Sequence, residues 1–265
     1  MKQFKTILFS EPEPSIGQIT LNRPENLNAI TFEMLDEFSE LFQILSQEDS
    51  IRVVILTGEG RGFCSGADLK NASHIFDSGA LTDPESFLRI AQEKFSGLVL
   101  GLRKIPQTII AAVNGVAAGG GFAMTLGSDF IVATPDAYFI PSFINIGLSG
   151  GEMGTSYFLP RFVGLSRATE ILCTGRNIYA DEAERIGLVV KIVPQEELIE
   201  TALSYAKMMI SKSVGGLRLT KRVLEANSAA PSLEAALNLE NRNQTIMAFS
   251  GDFARLVKSF VEEKK

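Results

Sequence analysis

The sequence predicts an α/β core over residues 1–194 followed by a helical region over 195–265. Up to Pro194, short uncharged apolar runs of strand length alternate with amphipathic helical stretches. Two of those runs lead into glycine-rich turns, and beyond Pro194 every apolar pattern has a helical period.

The first apolar run is Ile16 to Leu21. Met34, Leu35, Phe38, Leu41, Phe42 and Leu45 then recur at the 3.6-residue period of a helix buried on one face. Arg52 to Thr57 is the next strand, followed by a polar, glycine-punctuated stretch from Gly58 to about Pro84 and a helix ending before Pro106. An irregular stretch of that length inside a domain usually serves function. Gln107 to Val113 is a third buried strand, and Gly119-Gly120-Gly121 opens a helix through Phe122, Met124 and Leu126. Phe130 to Ala133 and Tyr138 to Ile140 are further strands. Strands interleaved with helices imply parallel pairing. The tail reads as four helices, at about 195–212, 215–227, 232–248 and 252–263.

Composition narrows the function. With 265 residues and 45% hydrophobic content the chain can bury a sizeable core without staples. A net charge of −6 argues against a duplex nucleic-acid binder, which needs a basic face. Residues 105–128 carry no charge, but five glycines and Asn114 mark them as buried backbone rather than a membrane span. Cys64 and Cys173 both sit in apolar sequence surroundings, and the start lacks the apolar stretch of a secretory signal, so free thiols and a cytoplasmic setting are expected. One histidine and two cysteines fall short of an ordinary zinc site. No GxGxxG fingerprint precedes a helix, so neither a metal nor a dinucleotide is expected.

The chemistry is expected at the two turns, Gly62 to Leu69 and Asn114 to Gly121, each after a buried strand. Glycine permits positive φ and close backbone approach, and helix starts at strand ends point NH groups at anions. Taken alone, either turn reads first as a tight chain reversal.

Leu21-Asn22-Arg23-Pro24-Glu25-Asn26-Leu27-Asn28-Ala29, Phe63-Cys64-Ser65-Gly66-Ala67-Asp68-Leu69 and Ala111-Ala112-Val113-Asn114-Gly115 with Gly119-Gly120-Gly121 resemble the signatures of the crotonase (enoyl-CoA hydratase/isomerase) family. Thr174-Gly175-Arg176, Ala183 and Gly187-Leu188-Val189 extend the resemblance over nearly the whole chain. The resemblance implies a ββα spiral core, C-terminal helices used for trimerisation, often within a hexamer, and a CoA thioester substrate with no separate cofactor. It places an oxyanion hole at the backbone NH groups of Ala67 and Gly120, and CoA contacts at Leu27, Ala29, Ala67, Asp68, Leu69, Lys70 and Gly120.

Family membership alone leaves the reaction open, because members place their carboxylates differently around one enolate. Family hydratases carry one glutamate two residues after the glycine triplet and another about twenty residues on. Those positions here are Ala123 and Phe143, neither of which can move a proton. Glu152, in Gly151-Glu152-Met153-Gly154-Thr155-Ser156-Tyr157-Phe158-Leu159-Pro160, instead resembles the catalytic glutamate of peroxisomal-type Δ3,Δ2-enoyl-CoA isomerases and a catalytic aspartate of a chlorobenzoyl-CoA dehalogenase. Isomerisation needs one base, and Phe122, Phe143, Met153 and Phe158 are expected to wall it. Two alternatives stand beside it: hydration with Glu152 as sole carboxylate, and a non-catalytic acyl-CoA binder. Glu152 could also merely cap the following helix.

Other candidates are weaker. Gly147-Leu148-Ser149-Gly150-Gly151 satisfies the GxSxG elbow, but that fold needs a histidine after the serine, and His74 precedes it. Cys64 with His74 could be drawn as nucleophile and base, although packing is the expected role of Cys64. Asp68 is expected to bond local backbone NH groups, and Asp129 and Asp136 to be structural or solvated.

Overall fold

The computed structural model describes residues 3–70 and 83–262. Two sheets organise it. The larger has six strands, with Ile7–Glu13 (β1) antiparallel to Ile16–Leu21 (β2) at one edge. From β2 inward the pairing is parallel through Val53–Gly58 (β3), Thr108–Val113 (β4) and Phe130–Ala133 (β6) to Lys191–Ile192 (β9). Every residue of β3 is buried, as expected of a central parallel strand covered on both faces. The smaller sheet pairs Val116–Ala118 (β5) in parallel with Tyr138–Ile140 (β7), and β7 antiparallel with Ile178–Tyr179 (β8).

The parallel pairing expected from the sequence holds for the central strands and needs extension at the edges. β1 carries Pro12 and acidic residues, a composition that hides a strand from pattern reading but suits a sheet edge, where a missing NH costs little. β5 lies inside what reads in the sequence as one continuous glycine-rich turn.

Phe32–Gln47 (α1) buries the six residues of its predicted apolar face, and Thr31 caps it by accepting from the Met34 NH at 3.2 Å. A helical stretch follows the undescribed residues: Pro84–Phe87 (α2), a π turn at Leu88–Gln92, and Glu93–Lys104 (α3). Gly120–Gly127 (α4) is buried along its whole length, which explains how an uncharged segment occurs without a membrane. No helix of the described residues is long and apolar enough to cross one. Thr155–Val163 (α5), Leu165–Thr174 (α6) and Ala180–Arg185 (α7) complete the first part.

The chain divides into two compact units, Met1–Ala206 and Lys207–Lys265. The division falls within the helix Leu198–Ile210 (α8), whose Leu198, Ala202 and Ala206 are buried. The second unit contains Val214–Asn227 (α9), Leu233–Ala248 (α10) and Gly251–Glu262 (α11). Ser213 and Ser232 cap the first two by accepting from Gly216 and Ala235 NH groups.

Candidate active site

The site is assembled from three loops of the first unit. In the first, Leu27 and Asn28 adopt left-handed backbone with φ of 50° and 56°. Asn28 has no exposed surface, and its side chain accepts from Arg23 NH (2.9 Å) while donating to the carbonyls of Glu59 (2.9 Å) and Gly62 (2.8 Å). A buried amide satisfied at both ends fixes this loop against the next. Arg23 donates to the Ala29 carbonyl and pairs with Asp68 at 2.9 Å, both side chains being mostly buried. Asp68 therefore bridges two loops through an ion pair, a role that the expectation of local backbone bonding did not include.

The second loop runs from Gly62 to Asp68. Cys64 NH donates to Val116 and the Cys64 carbonyl accepts from Ala118 NH, each at 2.9 Å, so the loop is zipped to β5. Asn114 reinforces the junction by donating to the carbonyls of Gly58 (2.9 Å) and Gly60 (2.8 Å). On its other side, Ile30 NH donates to Gly66 and Asp68 NH donates to Ile30, leaving the intervening Ala67 NH to point elsewhere. Gly66 is required here: its φ is +94°, and a Cβ would stand 2.9 Å from the Ala118 carbonyl oxygen. That same Cβ would lie 3.6 Å from the Gly120 nitrogen, so the two predicted turns meet. Gly120 opens α4, where the first NH groups have no intrahelical acceptor. Among the described residues, the NH groups of Ala67 and Gly120 take no protein acceptor.

The third loop precedes α5. Thr155 Oγ1 accepts from Glu152 NH (3.1 Å) and lies 2.9 Å from the Gly150 carbonyl, so the backbone around Glu152 is pinned. Met153 and Gly154 both have positive φ, and Gly154 caps α5 without a side-chain bond. The Glu152 carboxylate thus does not cap the helix. It is half-buried, and among the described residues it takes no hydrogen-bond or ion-pair partner.

A mostly apolar cavity of about 490 Å³ brings Ala67, Leu69, Gly120 and Glu152 together. Of the expected wall, Phe143 and Met153 line it, whereas Phe122 packs on Phe139 in the core and Phe158 against Tyr157. Leu27, Ala29, Asp68 and Lys70 lie outside the lining, with Ala29 buried and Lys70 exposed. At the two hydratase positions, Ala123 is fully buried in the core and Phe143 faces the cavity.

The sequence did not single out the opposite wall, formed by Phe32 and by Phe87, Ala91, Gln92 and Phe95 of the 84–104 stretch. Phe32 and Phe95 meet edge to face with centroids 6.0 Å apart. Their apolar spacing is the same for a core-facing and a cavity-facing helix, so no local signal separates the two. Leu148 of the GxSxG stretch lines the cavity, while Ser149 accepts from Gly151 NH within its own loop. His74 lies outside the described residues. Cys64 is wholly buried, and burial pushes its thiol up to about 12, against the pull of the Gly66 NH and the Arg23 charge. Such a thiol is a packed side chain, not a nucleophile. Cys173 is exposed, a correction to the expected apolar surroundings: it lies off the face of α6 that buries Ala168 and Ile171. Asp129 is structural, held by Arg103 (2.8 Å) and Ile109 NH (2.7 Å), and Asp136 is exposed.

Residues 11–265 match the family model described as enoyl-CoA hydratase/isomerase. A Mycobacterium bovis protein described as "probable enoyl-CoA hydratase echA12" is 43% identical over 97% of this chain and 90% of its own length. Among solved structures, a "probable enoyl-CoA hydratase/isomerase" from Mycobacterium abscessus is 39% identical with a TM-score of 0.89, covering 98% of this chain and 97% of that one. A "monofunctional enoyl CoA isomerase" from M. smegmatis is also 39% identical, with a TM-score of 0.72 over 88% of this chain and 98% of its own. A match spanning nearly the whole chain, on a framework of two mixed sheets with C-terminal helices, makes this protein an enzyme of the crotonase (enoyl-CoA hydratase/isomerase) family.

Proposed function

We propose that this enzyme shifts the double bond of a 3-enoyl-CoA to the 2-position, with Glu152 as the single proton carrier and the NH groups of Ala67 and Gly120 as the oxyanion hole. The observation that carries this reading is the Glu152 carboxylate, which shares an apolar cavity with two backbone NH groups, carboxylate and NH groups alike having no protein partner among the described residues. Glu152 takes the proton from C2, and the electron pair delocalises onto the thioester oxygen to give a dienolate. The same carboxyl then returns the proton to C4 as the oxygen charge collapses, leaving the double bond between C2 and C3. Two fixed donors suit the charge that develops on that oxygen, each typically lowering the barrier by about 3–4 kcal/mol. The CoA would run along Leu27, Ala29, Asp68, Leu69 and Lys70, and it belongs to the substrate rather than to a resident cofactor.

Ala123 and Phe143 at the two hydratase positions support a one-base reaction, because adding water calls for a group to hold and deprotonate it. The 39% identical M. smegmatis isomerase is consistent with that. Hydration with Glu152 as sole carboxylate is the second reading, favoured by the description of the M. bovis relative.

Purified protein incubated with 2-enoyl- and 3-enoyl-CoA separates them. Isomerisation changes absorbance at constant mass, and hydration adds one water. We expect isomerisation from wild type and its loss in Glu152→Gln with acyl-CoA affinity retained; unchanged turnover in that variant would remove Glu152 from the mechanism.

A further inference from the structure

The 84–104 wall of the cavity changes its winding midway, α-helical in Pro84–Phe87, π-wound in Leu88–Gln92 and α-helical again in Glu93–Lys104. Along an uninterrupted α-helix, at about 100° per residue, Gln92 would point roughly 100° away from the mean direction of Phe87, Ala91 and Phe95. A π turn advances only about 80° per residue and brings Gln92 to within roughly 60° of that face. All four residues line the cavity. Three present hydrocarbon, and the fourth presents an amide with two donors and an acceptor. Among the described residues this amide takes no protein partner, since only the Gln92 backbone carbonyl is used, by Ser96 Oγ at 3.0 Å. A π turn is locally unfavourable and recurs where a side chain must be re-aimed for function.

Building on the enoyl-CoA reading, we propose that Gln92 determines specificity by hydrogen-bonding an oxygen on the acyl group. The preferred substrates are then enoyl-CoA esters bearing a hydroxyl or carbonyl group, not plain hydrocarbon chains. A plain chain pressed against Gln92 strips water from the amide and returns no bond, whereas an oxygen replaces the water it displaces. The preference should be tenfold or more, roughly, in kcat/KM.

The test compares 3-enoyl-CoA esters of equal chain length, with and without a hydroxyl or carbonyl group, on wild type and on Gln92→Leu. Wild type should favour the oxygenated ester. Gln92→Leu should erase that preference by losing at least about tenfold more rate on the oxygenated ester than on the plain one. No preference in wild type, or a preference that survives the substitution, overturns the proposal. An equal loss on both esters also overturns it, because it places Gln92 on the CoA portion that the two share. Calorimetric Kd values for the corresponding saturated acyl-CoA esters read the same preference without turnover. A failure of the isomerase reading is therefore distinguishable from a failure of the Gln92 assignment.

Discussion

Cys64 is buried within the loop that carries Ala67, and its burial gives that loop a measurable pH signature. The thiol ordinarily ionises at 9.0 but is pushed up to about 12 in the folded chain. Between those values the unfolded chain gives up a proton that the folded chain keeps. The contribution of Cys64 to stability is therefore complete below pH 9 and is lost progressively as pH rises towards 12. Urea midpoints of wild type should fall more steeply over this window than those of Cys64→Ala; parallel curves would show that the thiol is not protected. An aromatic disulfide reagent should titrate Cys173 alone in the native protein and both thiols after unfolding. At this scale the sequence was informative at Gly66 and Gly119, where positive φ favours glycine, and silent at Leu27 and Met153, which take positive φ without it. The Arg23–Asp68 pair could not be noticed, since forty-five positions separate its members along the chain. The cavity role of Gln92 was equally hidden, because it depends on where a helix changes its winding.

Helices α1 and α3 pack so closely that a Cβ on Gly101 would stand 2.1 Å from Phe42 Cδ2. Helix propensity alone favours alanine over glycine by about 1 kcal/mol. The clash should win, because Phe42 lies in the core and has little room to move. Gly101→Ala should therefore destabilise the protein by about 1–3 kcal/mol and lower its Tm. A higher Tm would mean that Phe42 rotates away freely. The periodicity of α1 and the continuous apolar runs of β3 and β4 are strong local signals, and the sequence placed all three elements. It missed β1, β5 and the two-residue strands β8 and β9. β1 is an edge strand of mixed polarity, and β5 is only three residues long and is stabilised by pairing with β7, a partner twenty-two positions away.

Across the whole molecule, the second unit leaves large apolar side chains uncovered, with Phe249, Leu233 and Leu224 respectively 89%, 75% and 67% exposed. Exposed apolar surface of this kind points to association, and we propose that the protein assembles as a trimer or a dimer of trimers. Light scattering should give a mass of three or six chains of 28.8 kDa; a monomer at micromolar concentration would refute the assembly. By itself the sequence determined the strand-and-helix alternation, the helical tail and the two glycine-rich turns. Each of these follows from local periodicity or from allowed φ. Only the tertiary structure decided that the two turns meet, that the Ala67 and Gly120 NH groups have no acceptor among the described residues, and that Glu152 shares their cavity without capping α5. Those facts rest on hydrogen bonds and packing between segments far apart in the chain, and no local pattern encodes a contact whose two halves are separately satisfactory.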